Sequence, residues 1–285
     1  MSDRNPIYTQ LIHRTSILVA FCVAVWAGFG LMATHAQTGP GGVGNADGTS
    51  GQPRNVLWLR ADQGVQAIGG DVLQWDDLSG NGFNAVAPSG NEPTLFNSAV
   101  GGRPGVSFGG GTYMTVPDAD ALDGSNGITI IMAVRPVSDE TSGSLFGELG
   151  ITRTLLWKRD PGDNGYIFDI SSECDGFTIL GSCTGTTYGA AGLTIDGNRL
   201  VTRDDGSLIT GDDNNIVPEV PQVLTADLGS GTGRIFIDTE QKGSSGGLGS
   251  IATTTSSLAI GATTNGEEGF QGDIAEAIIF DGVLG

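Results

Sequence analysis

Apolar and polar residues alternate with a period of two in short runs along most of the chain, and each run ends in a cluster of Gly, Asp, Asn or Pro. In GITIIMAVRP (127–136), Ile128, Ile130, Met132 and Val134 share one face, while Thr129, Ala133 and Arg135 lie opposite. Period two is the mark of a strand with one buried face. Similar runs are VLWLRA (56–61), GVSF (105–108), TYMTV (112–116), TLLWK (154–158), YIFDI (166–170), FTIL (177–180), PQVLTADL (221–228), RIFID (234–238), SLAIG (257–261) and DIAEAIIF (273–280). No segment keeps an apolar stripe at helical spacing for three turns, and one short helical turn is expected near ADALDG (119–124). Strands broken at close intervals by turn residues predict an all-β sandwich rather than βαβ units. The least regular stretch, residues 171–215, is rich in Gly and Asp and reads as a loop elaboration on that scaffold.

The first 36 residues stand apart. Arg4, His13 and Arg14 precede an apolar run, TSILVAFCVAVWAGFGLMA (15–33), and Ala36 supplies a small residue for cleavage. That order predicts a signal peptide over 1–36 and a secreted or cell-surface protein. An uncleaved anchor is the competing reading, because the run approaches the length that spans a bilayer. Residues 37–54 are Gly-rich and read as a flexible leader, and residues 55–285 form the sandwich. The abrupt stop at Leu284-Gly285 reads as a truncated C-terminus.

Composition then narrows the chemistry. Both histidines, His13 and His35, fall within the signal, so residues 37–285 have none. This excludes Ser-His-Asp and Cys-His nucleophile systems and histidine zinc ligands. The net charge is −19, and beyond residue 36 the chain holds 11 basic and 31 acidic residues. Its only lysines are Lys158 and Lys242. Without clustered positive charge, nucleic acid and anionic membrane surfaces are poor partners, and no membrane insertion is expected after signal cleavage. Cys174 and Cys183 remain once Cys22 leaves with the signal, and in an oxidising compartment so close a pair reads as a disulfide. A two-thiolate metal site would lack the further ligands zinc takes.

Two loops offer oxygen ligands for Ca2+. WDDLSGNG carries Asp76, Asp77, Ser79 and Asn81, and VPDADALDG carries Asp118, Asp120 and Asp123. Calcium takes six to eight such oxygens. Asp and Asn are equally ordinary turn residues that bond their own backbone. For sugar recognition the expected device is an aromatic ring stacked on a pyranose, and Tyr166, Phe177 and Tyr188 are the candidates, whereas Trp58, Trp75 and Trp157 read as core.

VLWLRADQGV (56–65), WDDLSGNG (75–82), GITIIMAVRP (127–136) and GFQGDIAEAIIFDGVL (269–284) together resemble the LamG-like jelly-roll domains of the concanavalin A-like lectin/glucanase superfamily, as found in large secreted bacterial surface proteins. The resemblance implies a two-sheet antiparallel jelly-roll sandwich whose first and last strands lie side by side. Arg60 and Glu276 would then form a structural ion pair, since buried charges persist when paired. It also implies a non-catalytic recognition or adhesion module for carbohydrate or an extracellular protein, with a glycoside hydrolase or a structural spacer as the alternatives. Glucanases of this fold carry an E-x-D-x-x-E strand motif that this chain lacks. Asp169 with Glu173 and Asp273 with Glu276 come nearest, but the first pair runs into a predicted loop and the second falls on opposite strand faces unless a bulge intervenes.

Overall fold

In the computed structural model, residues 38–137, 151–174, 186–201 and 216–285 are described. The expected signal segment, Phe177 and Cys183 lie outside them. So do the side chains of Cys174 and Tyr188, whose backbones fall in strands.

The strands are β1 (Arg54–Arg60), β2 (Val65–Ile68), β3 (Asp71–Trp75), β4 (Ala85–Val86), β5 (Thr94–Val100), β6 (Arg103–Gly109), β7 (Met114–Val116), β8 (Ile128–Pro136), β9 (Ile151–Arg159), β10 (Gly165–Cys174), β11 (Thr186–Ile195), β12 (Asn198–Val201), β13 (Gln222–Gly229), β14 (Thr232–Ile237), β15 (Glu240–Gly246), β16 (Leu258–Ile260) and β17 (Gln271–Asp281). A 3-10 turn covers Asp120–Leu122, at the place the sequence marked for a helical turn.

The strand pairings build two antiparallel layers. One runs β2-β3-β4-β7-β16-β9-β10-β11-β12. The other runs β15-β14-β13-β8-β17, and β6 and β1 lie one after the other along the far edge of β17, with β5 outside β6. A single bridge, Asp71 with Thr94, joins the layers through β3 and β5. The first and last long strands pair directly, from Arg54 opposite Asp281 to Arg60 opposite Glu276.

Period-two burial fills the space between the layers. From β8, Ile128, Ile130, Met132 and Val134 are fully buried, as the alternation requires. They meet Leu57 and Leu59 of β1, Leu224 and Ala226 of β13, and, from the opposite layer, Phe168, Leu193 and Ile260 in one continuous core. Each such side chain contributes about 1.5–3 kcal/mol through removal from water.

Two sequence expectations change here. Residues 171–215 were expected to be a loop, yet β10 continues to Cys174, and β11 and β12 form a hairpin closed by Asp196 and Gly197, both at positive φ. Asp-Gly between LTI and NRLV is a strong two-residue hairpin signal. The Gly-rich segment before β1 was expected to be a free leader, but its described part packs on the sandwich. Asn45 is buried, bridges Thr38 and accepts the Asn55 backbone N–H at 3.2 Å. Gly44, at φ 66, sits so close that a Cβ would lie 2.6 Å from the Pro53 carbonyl and 3.1 Å from the Phe280 ring. Glycine serves there for close approach as well as for its backbone angle.

Candidate functional site: an outward tryptophan and an internal lysine

The WDDLSGNG turn uses its polar groups on itself and on β1. The Asp77 carboxylate accepts the backbone N–H groups of Trp58 at 3.0 Å, Ser79 at 2.9 Å and Phe83 at 3.0 Å, and the Ser79 hydroxyl at 2.7 Å. The Asn81 amide donates to the carbonyls of Asn55 and Val56, both at 3.0 Å. Asp76 points elsewhere and accepts the side-chain amides of Gln66 at 3.0 Å and Gln74 at 2.6 Å. Every one of these contacts commits a polar group that calcium would need to a hydrogen bond within the protein. The turn thereby staples β1 to the segment between β3 and β4.

The second loop meets a cation that the protein itself supplies. Lys158, on β9, is completely buried, and its Nζ lies 2.8 Å from Asp118 Oδ1, 3.0 Å from Asp123 Oδ1 and 2.9 Å from the Ser256 carbonyl, to which it donates. Asp123 is 1% exposed and also accepts the Thr254 N–H, whereas the Asp118 side chain is 32% exposed. Asp120 stays outside this cluster as an exposed residue of the 3-10 turn. The carboxylates on which the calcium expectation rests are thus engaged by the Lys158 ammonium in one loop and by backbone and amide donors in the other. Among the described residues no group of three His, Cys, Asp or Glu side chains could hold a metal ion.

Tyr166 is corrected. It is fully buried, and its hydroxyl donates to the Leu122 carbonyl at 3.0 Å, so it cannot stack on a ligand. Burial, and secondarily the Asp123 charge, pushes the phenol well above its usual range and keeps it a donor at any physiological pH.

Phe96 on β5 is half exposed, and two of the tryptophans are partly so. Trp75 is buried, but Trp58 and Trp157 are partly exposed on the outward faces of the two layers. Strand register sets Val86, Thr115, Ala259, Trp157, Ile167 and Thr194 in one row across the β2–β12 layer. In that row Ala259, Ile167 and Thr194 are buried, and the indole rises among them. Arg159 shares its face, with the guanidinium carbon 5.8 Å from the ring centroid. A partly open indole, flanked by the Arg159 guanidinium that also pairs with Asp163, can stack on a flat apolar face.

On the opposite layer the Trp58 indole N–H donates to Glu276 Oε1 at 2.7 Å, and the Arg60 guanidinium lies over the same ring at 5.7 Å. Arg60 and Glu276 are strand partners, as expected, but the ion pair is not formed. Arg60 binds Asp62 at 2.8 Å instead.

The carboxylate pairs considered from sequence also differ in detail. A bulge between Ile274 and Glu276 sets Asp273 opposite Arg135 and Glu276 opposite Ala133, so both acids lie on one face after all. Asp273 is nevertheless 1% exposed and its Oδ2 accepts Arg135 Nε at 2.9 Å, which leaves no access for a substrate. Asp169 and Glu173 both lie in β10, four positions apart, or ~13 Å along a strand. The Glu173 side chain lies outside the described residues.

With this geometry the chain can be set beside known proteins. Residues 108–285 match the Laminin_G_3 family, described as the concanavalin A-like lectin/glucanases superfamily. Among curated proteins none matches. Among solved structures the chain is similar to domain 4 of AbnA, a GH43 extracellular arabinanase from Geobacillus stearothermophilus, in complex with arabinotriose, at 18% identity and a TM-score of 0.50, covering 82% of this chain and 95% of that one. It is also similar to the botulinum neurotoxin serotype G binding domain, at 13% identity and a TM-score of 0.50, covering 81% of this chain and 49% of that one. At such identities the likeness is one of fold, and the family match over residues 108–285 assigns the chain to the Laminin_G_3 family of the concanavalin A-like lectin/glucanases superfamily.

Proposed function

We propose that this chain is a secreted or cell-surface recognition module that binds carbohydrate on the outward face of the β2–β12 layer and performs no chemistry on it. The observation that carries this reading is the partly exposed Trp157 indole at the middle of a row of small, apolar and hydroxyl side chains, with Arg159 beside it. Sugar rings present C–H faces that pack on indoles and hydroxyl edges that meet guanidinium and threonine groups. The fold is of a carbohydrate-binding type, and a similar solved domain was obtained with arabinotriose. The buried state of Asp273, held by Arg135, speaks against hydrolysis by the Asp273 and Glu276 pair.

A screen of the purified chain against immobilised oligosaccharides, arabinotriose included, tests the proposal. Saturable binding that Trp157→Ala removes, with no shortening of the bound sugar, supports it. Sugar cleavage would favour the glycosidase alternative. Binding to an extracellular protein with no response to any glycan would replace carbohydrate by protein as the partner.

A further inference from the structure

Lys158, Asp118 and Asp123 form a cluster that sugar recognition does not use. We infer that it is the site of an intramolecular amide cross-link between Lys158 Nζ and Asp118 Cγ, with Asp123 relaying the protons. Three features point to this chemistry.

First, nucleophile and electrophile are held in contact. Nζ lies 2.8 Å from Asp118 Oδ1, on a lysine that is wholly buried and fixed by a third contact to the Ser256 carbonyl. Amide condensation is unfavourable between free groups in water. Fixing the reactants in one geometry supplies effective concentrations of roughly 10⁵–10⁸ M and removes that obstacle.

Second, a second acid stands where a relay is needed. Asp123 Oδ1 is 3.0 Å from the same Nζ, at 1% exposure, and is held by the Thr254 N–H at 3.4 Å. Asp118 is the half of the acid pair that reaches solvent, at 32% side-chain exposure, so water formed there has a way out. Tyr166, spent on the Leu122 carbonyl, closes the core side.

Third, the cross-link relieves a buried charge. An ammonium at zero exposure is costly even when paired. The amide replaces that ammonium and one carboxylate with a neutral group whose N–H can still donate to Asp123.

The step balances without any co-reactant. Two of the three ammonium protons pass by way of Asp123 to one Asp118 oxygen. Nζ forms a bond to Cγ, that Cγ–O bond breaks, and the oxygen leaves as water. No group is oxidised or reduced. The product ties the loop after β7 to β9, two segments 40 residues apart.

The test uses the full chain, purified folded and then denatured. The expected intact mass is one water molecule below the sequence mass, and proteolysis should yield a branched peptide joining Asp118 to Lys158. Because Lys158 and Lys242 are the only lysines, an amine-reactive reagent applied after denaturation should label Lys242 and spare Lys158. A succinimide at the Asp123-Gly124 step would lose the same mass, so fragment spectra decide. An unreduced mass in the unaltered chain, a succinimide in place of the branch, or full labelling of Lys158 overturns the inference. Asp118→Ala should abolish the branch, and Asp123→Asn should slow its formation roughly 100-fold or more. If either variant fails to fold, the mass of the unaltered chain still decides.

Discussion

The indole N–H of Trp58 donates to Glu276 Oε1 at 2.7 Å, a side-chain bond between strands 218 residues apart in sequence that pair side by side in the sheet. The Arg60 guanidinium lies over the same indole, 5.7 Å from the ring centroid. Removing the acceptor leaves a half-buried donor unsatisfied and takes away one contact holding β1 to β17. Glu276→Ala is expected to lower unfolding stability by about 1.5–3 kcal/mol, the range for a hydrogen bond to a charged group. Glu276→Gln, which keeps an acceptor oxygen, should cost less than half of that. Urea unfolding of the two variants measures the difference, and equal losses would show that packing, not the hydrogen bond, is what Glu276 supplies.

Lys158 should respond to substitution as the partner of a buried acid does, with Nζ as an ammonium or as the inferred amide. Lys158→Met retains much of the volume but leaves Asp123 shut in without its Nζ donor, and a loss of about 3–5 kcal/mol is expected. Pairing it with Asp123→Leu removes the stranded acid and should recover most of the loss. Thermal unfolding of the single and double variants checks this, and simple additivity of the two substitutions would contradict the coupling.

In the first turn the two neighbouring aspartates should behave differently. Asp77 satisfies three backbone N–H groups and a hydroxyl, so Asp77→Ala should cost about 2–3 kcal/mol. Asp76 holds two surface amides, and its loss should stay below about 1 kcal/mol. Calcium and magnesium at equal ionic strength should shift the melting temperature alike, because the donors already present leave neither loop a coordination shell. A calcium-specific rise removed by Asp77→Asn would restore the metal site.

Acid should loosen the β9–β10 connection before the core. Asp160 is held below its ordinary value near 3.8, chiefly by the Asn164 side-chain amide, then by the backbone N–H groups of Asn164 and Gly162 and the nearby Arg159 charge. A depressed folded-state value means that the stabilisation is complete above the unfolded value and fades as pH falls through the folded one. The protection factors of the Gly162 and Asn164 amides, with the intrinsic pH dependence of exchange divided out, should therefore fall below about pH 4, and Asp160→Asn should remove that dependence. Protection that stays constant down to about pH 2 would contradict it.

The period-two pattern carried the fold well where strands were regular. In β8 it located all four core residues, while the pairing of the terminal strands came from the family resemblance rather than from the alternation. It failed where an extra residue resets the alternation. Opposite the Phe168-to-Asp169 step, β9 carries a bulge at Leu155, so Leu155 and Leu156 are both buried, and the face of Trp157 cannot be counted from Thr154. Placing the charged Lys158 inward, beside a tryptophan facing out, inverts what hydropathy alone suggests. The bulge at Ala275 brings Asp273 and Glu276 to one face by the same means. The Arg60 and Glu276 register was legible, but their partners were not, because a nearer carboxylate and an intervening indole captured each side chain. For the binding surface, the sequence showed which residues are aromatic but not which of them point outward.

Titration calorimetry with the oligosaccharide selected by the glycan screen tests the proposed function most directly, run on the unaltered chain, Trp157→Ala and Trp58→Ala. Loss of binding by at least tenfold, or about 1.4 kcal/mol, is expected for Trp157→Ala at unchanged fold, with Trp58→Ala binding as the unaltered chain does. Undiminished affinity in Trp157→Ala, or a loss confined to Trp58→Ala, would contradict the assignment of the binding face to the β2–β12 layer.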